Sequence, residues 1–172
     1  SEHMAYPHVE IAAERMYNRD VQEYLHTMYQ LKDKYKDQIE VLVGFEIEYY
    51  DDQKDYLFKM KECCDYMIIG QHVLMYANQI QSALELGLTR YIAHPDFFML
   101  GRRQWTPACD KASQIIVEAA KKYHAVLEIN LNGLRYGKLY YQDGLAYPYP
   151  HPEFFKHVTK ENKVCFGYDA HH

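Results

Sequence analysis

Apolar and polar positions change period repeatedly along this 172-residue chain, and the changes predict strands and helices in turn. Leu25, Met28 and Tyr35 recur near helical spacing inside a long pattern that runs from Val9 to about Asp37. Beyond it, short apolar runs predict strands and amphipathic stretches predict helices. The predicted strands cover about 40–49, 65–71, 90–94, 125–130 and 164–168, and the predicted helices cover 53–64, 77–87, a stretch from 106 onwards, and 153–161.

Local signals support this order of elements. Pro107 directly follows Thr106 after the Gly101-Arg102-Arg103 loop, which is a usual start of a helix. The tyrosine- and proline-rich stretch 136–152 predicts a functional loop rather than a domain boundary. Because strands alternating with helices are typical of a parallel sheet covered by helices, we expect a single α/β domain over residues 1–172.

Side chains that bind metals stand at the ends of four predicted strands. They are Glu46, Glu48, His72, His94, Asp169 and His171. Asp169 and His171 are two residues apart, so both point toward one side of the chain where the last strand ends. In parallel βα barrels the carboxyl ends of the strands carry the chemistry. Mixed nitrogen and oxygen ligands without cysteine suit zinc, iron or manganese, and such ions activate water and clamp phosphate oxygens.

Composition excludes several classes of function. The formal net charge of −5 gives no basic surface for nucleic acid or for an anionic membrane. No apolar run approaches the roughly 20 residues of a membrane span. Cys63 and Cys64 are adjacent and poorly placed to pair, which favours a reduced, cytoplasmic protein. The chain also lacks the glycine-rich phosphate loops and the Gly-x-Ser-x-Gly nucleophile motif.

Six short motifs occur in the order known from one superfamily. They are Ser1-Glu2-His3, Gly44-Phe45-Glu46, Ile69-Gly70-Gln71-His72, Ala93-His94-Pro95-Asp96, Leu127-Glu128-Ile129-Asn130 and Asp169-Ala170-His171. In this order they resemble the PHP (polymerase and histidinol phosphatase) superfamily, and most closely its histidinol-phosphatase branch. The resemblance covers essentially the whole chain. It implies a distorted seven-stranded (β/α) barrel with two or three divalent metal ions (zinc, iron or manganese) that hydrolyses phosphate monoesters.

Matched residue by residue, the resemblance also implies roles for individual side chains. The implied metal ligands are His3, Glu46, His72, His94, Asp169 and His171, with Asp169 and His171 also catalytic. Glu46 and Glu48 share one strand face, and the motif favours Glu46 as the ligand. Arg135 resembles the phosphate-binding arginine of the family, and a guanidinium fork matches phosphate oxygens. Glu128 is a candidate for substrate binding, with a structural salt bridge as the alternative.

The sequence departs from the family pattern in one important respect. Family members open with a strand that carries His-x-His, and no such motif occurs in this chain. The length is also short against the ~250 residues of typical βα barrels. We therefore expect an incomplete barrel that lacks at least its first strand, with a loop near residues 75–77 as a second candidate omission. Ser1-Glu2-His3-Met4 also resembles a sequence left by cloning, which is an alternative origin for His3.

The sequence thus predicts a cytoplasmic metal-dependent phosphate monoester hydrolase in which a metal-bridging hydroxide attacks phosphorus. The expected partner is a small-molecule phosphate ester, with no nucleic acid or membrane partner, and the oligomeric state is open. Histidinol phosphate is the first candidate substrate, hydrolysed to histidinol and phosphate in histidine biosynthesis. Two alternatives stay open: a related enzyme for another ester, such as phosphotyrosine or a nucleotide, and a catalytically degenerate binding domain.

Overall fold

A computed structural model describes residues 2–7, 15–71, 77–142 and 144–169 of the chain. Two of the predicted metal ligands, His72 and His171, lie outside the described residues, as do residues 75 and 76 of the predicted loop. The chain forms two compact units, Ser1–Ile68 and Ile69–His172. None of the described helices is long and apolar enough to cross a membrane.

The first unit is built around short parallel strands. Its elements are β1 (Glu2–His3), α1 (Val21–Tyr35), β2 (Gly44–Ile47), α2 (Lys54–Lys61) and the larger part of β3 (Tyr66–Ile69). All four residues of β2 are buried, as expected for a parallel strand covered on both faces. Strand β1 runs parallel to β2, with Glu2 opposite Phe45 and His3 opposite Glu46.

The second unit continues the alternation of strands and helices. Its elements are the last residue of β3, α3 (Ala77–Glu85), β4 (Tyr91–Ile92), α4 (Pro107–Lys122), β5 (Val126–Asn130), β6 (Leu139–Tyr141), β7 (Gly144–Ala146), α5 (Pro152–Phe155) and β8 (Lys163–Gly167). The six-stranded main sheet has the order β1-β2-β3 in the first unit and β3-β4-β5-β8 in the second. The described pairings of this sheet are parallel. This confirms an α/β fold with a parallel sheet, whereas closure into a seven-stranded barrel stays a prediction.

The start of α4 confirms the helix predicted after Thr106. The Thr106 hydroxyl accepts a hydrogen bond from the backbone N–H of Cys109 (3.3 Å), and Pro107 occupies the first helical position. The helix buries Ile116 and Ala120 and packs against α3. Local capping chemistry therefore fixed a boundary that could be located from sequence.

Two elements differ from the prediction. The helix expected over 153–161 ends at Phe155, and the next turn is closed by a side chain: Asn162 Oδ1 accepts the backbone N–H of Thr159 (2.9 Å). Such side-chain bonds compete with helical backbone bonds. The segment 136–152, expected as a loop, contains the antiparallel hairpin of β6 and β7.

One carboxylate ties three segments of the first unit together. Asp65, just before β3, accepts hydrogen bonds on Oδ2 from Lys32 Nζ of α1 (2.6 Å) and from the backbone N–H of Val43 (2.8 Å). The hydrogen bond from Lys32, followed by that from Val43, lowers the pKa of Asp65 below its usual value. Asp65 therefore stabilises the fold in its ionised form.

We predict that Asp65→Asn lowers the free energy of unfolding by about 1 kcal/mol at pH 7, because the amide loses the charged bond to Lys32. The pKa of Asp65 is lower in the folded state. Its contribution is therefore present above the unfolded value of about 4 and is lost as the pH falls through the folded pKa. Denaturant unfolding at pH 7 and at pH 3 measures both effects. Asp33→Asn is the control, because Asp33 pairs with Lys36 on the surface with 78% of its side chain exposed. Equal losses in the two variants would contradict the prediction.

Candidate functional site

In the first unit, two predicted ligands lie side by side. His3 and Glu46 are register partners on the parallel strands β1 and β2, so their side chains leave the sheet on the same face. Glu46 is buried. Glu48, two residues further on, accepts a hydrogen bond from Arg15 (2.9 Å) and one from Tyr50 (3.3 Å) on Oε2. Glu46 is thus the neighbour of His3 across the sheet, whereas Glu48 is held by Arg15 and Tyr50.

In the second unit, His94 follows the end of β4 and is almost completely buried. Its backbone has a positive φ of 28°, a conformation that residues other than glycine rarely adopt. The backbone N–H of His94 donates a hydrogen bond to Glu128 Oε2 (2.8 Å). The carboxylate on β5 therefore holds the turn in which the predicted ligand lies.

Glu128 is a buried acceptor with several donors around it. Besides the His94 N–H, its Oε2 accepts a hydrogen bond from Asn130 Nδ2 (2.9 Å), and its Oε1 accepts one from the Tyr91 hydroxyl (3.1 Å). Strand β8 leaves room for the carboxylate only because residue 167 is glycine: a Cβ there would lie 1.7 Å from Glu128 Oε1. Hydrogen bonds of this number satisfy a buried carboxylate without a cation.

The hydrogen bonds continue from Glu128 to the end of β8. Asn130 Oδ1 accepts the backbone N–H of Asn132 (2.9 Å), and Asn132 Nδ2 donates to Asp169 Oδ2 (3.4 Å). Arg135 Nη1 donates to Asn132 Oδ1 (3.1 Å), while much of the Arg135 side chain stays exposed. One network, called here the Glu128 network and made of His94, Glu128, Asn130, Asn132, Asp169 and Arg135, thus joins two predicted ligands to the predicted phosphate-binding arginine.

Asp96 is a second buried carboxylate close to His94. It is fully buried, and its Oδ2 accepts the backbone N–H of His151. Within the described part of the chain, its Oδ1 has no hydrogen-bond partner. Burial raises the pKa of Asp96 to about 7, against the opposing effect of the His151 hydrogen bond. A buried carboxylate with an open oxygen suits a cationic environment.

The donor chemistry fits divalent metal ions. His3 stands beside Glu46, and Asp96 lies two residues after His94, so each unit holds an imidazole and a carboxylate, which are residue types that zinc, iron and manganese accept. Among the described residues, no group of three or more histidine, cysteine, aspartate or glutamate side chains is close enough to hold a metal. His72 and His171, which the sequence predicts as ligands, lie outside the described residues.

Two polar residues of this site were not predicted from the sequence patterns. Asn132 and Asp96 have no role in the predicted set, although Asp96 lies inside the His94 motif and Asn132 follows Asn130 by two residues. The Asn-x-Asn spacing that begins at the last residue of β5 is the available signal, since asparagine side chains commonly cap a following turn. Four of the residues predicted from the sequence belong to the Glu128 network: His94, Glu128, Arg135 and Asp169.

Two solved structures share this fold. One is a protein of Listeria monocytogenes provisionally named as the histidinol phosphatase HisK, with a TM-score of 0.67 and 16% sequence identity over 91% of this chain and 73% of its own. The other is the histidinol phosphate phosphatase HisK of Lactococcus lactis subsp. lactis Il1403, complexed with zinc, L-histidinol and phosphate. Its TM-score is 0.65, with 16% identity over 99% of this chain and 73% of its own.

These likenesses establish the kind of fold. No protein-family model matches the sequence, and no curated protein matches it. At 16% identity the two structures show that the chain has the fold of HisK-type proteins, and the activity has to be argued from the site itself.

We predict that Glu128→Gln lowers the free energy of unfolding by about 1–3 kcal/mol. The glutamine amide would bring a donor into a pocket where His94 N–H, Asn130 Nδ2 and the Tyr91 hydroxyl already donate, so at least one buried donor loses its acceptor. Denaturant unfolding measures the loss. Glu118→Gln on the exposed face of α4 is the matched control and should change stability by less than about 0.5 kcal/mol. The same small change in both variants would show that the network does not stabilise the fold.

Proposed function

We propose that this chain is a metal-dependent phosphate monoester hydrolase of the histidinol-phosphatase type that acts in the cytoplasm on a small-molecule ester. The observation that carries the proposal is the Glu128 network, in which His94, Asp169 and Arg135 are linked by hydrogen bonds. A histidine and a carboxylate that can hold a metal thus lie in one network with a cation that can hold phosphate. The HisK fold of the two solved structures supports the same reaction class.

The proposed metal ligands are His3, Glu46, His72, His94, Asp169 and His171. Two or three divalent ions held by such residues supply an activated water and positive charge for the phosphate oxygens when they are bound. Zinc is the first candidate, because the Lactococcus lactis HisK structure contains it, and iron and manganese accept the same ligands. Asp169 and His171 are the residues we propose to be catalytic.

The chain's own residues divide the remaining work. Arg135 presents a guanidinium that can bind two phosphate oxygens at once, and Asn132 orients it by accepting one of its hydrogen bonds (3.1 Å). Asn132 also donates to Asp169, so the arginine and the carboxylate keep a fixed relation to each other. Glu128 is predicted from the sequence to bind substrate. In the structure its carboxylate accepts the backbone N–H of His94 and so stabilises the turn that carries this histidine.

Histidinol phosphate is the substrate we propose first, with histidinol and phosphate as products. The support for it is the likeness to HisK proteins, one of which binds L-histidinol and phosphate. Phosphate release from histidinol phosphate, compared with release from phosphotyrosine and a nucleotide, tests this choice. Turnover of another monoester but not of histidinol phosphate would keep the reaction class and change the substrate.

We predict that the purified protein binds at least two divalent metal ions per chain, and that His94→Ala and His171→Ala each lower this content and abolish phosphate release. Elemental analysis after removal of free metal, together with a phosphate assay, measures both. His26→Ala is the control, because His26 lies exposed on α1 and bonds only to Gln30 in the described set of side-chain contacts. The wild-type protein is also incubated with zinc, iron and manganese in turn. If it then holds no metal and releases no phosphate, the enzyme hypothesis is rejected and a degenerate binding domain is favoured.

We predict that Arg135→Ala lowers kcat/KM by about 10- to 100-fold, the equivalent of the roughly 1.5–3 kcal/mol of a hydrogen bond to a charged group. The kcat/KM of Arg135→Lys should lie between those of the wild type and Arg135→Ala, since lysine keeps the charge but loses the planar fork. Steady-state kinetics on the best ester measures the effect. Arg19→Ala, at a side chain that is 78% exposed in the first unit, should leave kcat/KM unchanged. An equal effect of the alanine variants at 135 and 19 would remove Arg135 from the site.

A further inference from the structure

A row of aromatic rings extends from the proposed metal ligand His94 to the surface of the second unit. The ring centroids of His94 and Phe97 are 5.1 Å apart, those of Phe97 and Tyr149 are 5.1 Å apart, and those of Tyr149 and Tyr136 are 6.1 Å apart. The planes are tilted by 46–52° along the row, as in other packed aromatic pairs. These four residues are called the aromatic row.

The row passes from the buried interior to solvent. His94 and Tyr149 are almost completely buried, whereas Tyr136 is 50% exposed. The segment that carries Tyr149 lies tight against the turn that carries Tyr136, because a Cβ on Gly133 would lie 1.8 Å from the Tyr149 carbonyl oxygen. Of the four rings, that of Tyr136 is the most exposed and offers a face to a ligand, and the inner rings hold it in place.

The outer end of the row lies next to the proposed phosphate anchor. Tyr136 directly follows Arg135 in the 3-10 helix Leu131–Tyr136, and Arg135 is joined to Asp169 through Asn132. Burial first, and then the nearby groups of Tyr136 and Asp169, raise the pKa of Tyr149. Tyr149 is thus close both to the exposed tyrosine and to the carboxylate of the proposed catalytic site.

We propose that Tyr136 is a specificity-determining residue that packs against a flat ring in the alcohol part of the phosphate ester while Arg135 holds the phosphate. The inference rests on the proposed function and adds the side chain that selects among esters. A flat ring gains from a rigid aromatic face, while a saturated ring of similar size gains only from burial. The difference corresponds to about two- to twelvefold in affinity.

Two phosphonates of matched size, 3-phenylpropylphosphonate and 3-cyclohexylpropylphosphonate, test the proposal by titration calorimetry on the zinc-loaded protein. The wild type should bind the phenyl compound about two- to twelvefold more tightly. Tyr136→Leu should bring this ratio close to one, and Tyr136→Phe should restore it, because phenylalanine keeps the ring. Tyr140→Leu is the control, since Tyr140 is a tyrosine on β6 that is 80% exposed and outside the aromatic row.

Hydrolysis of 3-phenylpropyl phosphate by the wild type is measured in parallel, so that the two proposals can fail separately. Turnover with an unchanged ratio in Tyr136→Leu would overturn the role of Tyr136 and leave the phosphatase in place. If Tyr136→Phe or Tyr140→Leu lost the preference for the phenyl compound as fully as Tyr136→Leu, the role of Tyr136 would also be overturned, because contact with its ring would not be the cause. Absence of both turnover and phosphonate binding would overturn the proposed function and this inference together.

Discussion

Glu128 is only 6% exposed, and a polar group in that environment is stable only when hydrogen bonds replace the water it has lost. Its donors are Tyr91 on β4, the backbone N–H of His94 in the turn that follows β4, and Asn130 on β5. The third neighbouring strand contributes space rather than a donor, through Gly167. The carboxyl ends of β4, β5 and β8 are thereby fixed around one side chain.

The same carboxylate determines the course of the chain after β5. Asn130 uses its amide nitrogen for Glu128 and its amide oxygen for the N–H of Asn132, which starts the 3-10 helix Leu131–Tyr136. That helix presents Arg135 and Tyr136 as consecutive residues at its end. The position of the proposed phosphate anchor therefore depends on a buried hydrogen bond at the residue that precedes the helix, and not on contacts of the arginine alone.

Sequence patterns predicted the parallel α/β fold because the strands are short apolar runs and because Thr106-Pro107 marks the start of α4 without help from distant residues. They also indicated which side chains stand at the strand ends, because each strand end follows from its apolar run. They did not predict the hairpin of β6 and β7 or the early end of α5, since these depend on pairing and on the Asn162 side chain. Nor did they show which donors surround Glu128, because that depends on the register of β4 against β5.

Two of the proposed metal ligands, His94 and Asp169, share an uncommon backbone conformation. Three described residues other than glycine have a positive φ: His94, His124 and Asp169. His124 has a local cause, since it follows the last turn of α4 in the position where helices commonly end with a left-handed residue. His94 and Asp169 each follow a strand instead, and hydrogen bonds of the Glu128 network hold both. Strain of this kind persists where the surrounding structure over-determines it, which is most common at functional sites. The proposal that these two residues bind metal therefore has support that is independent of their sequence motifs.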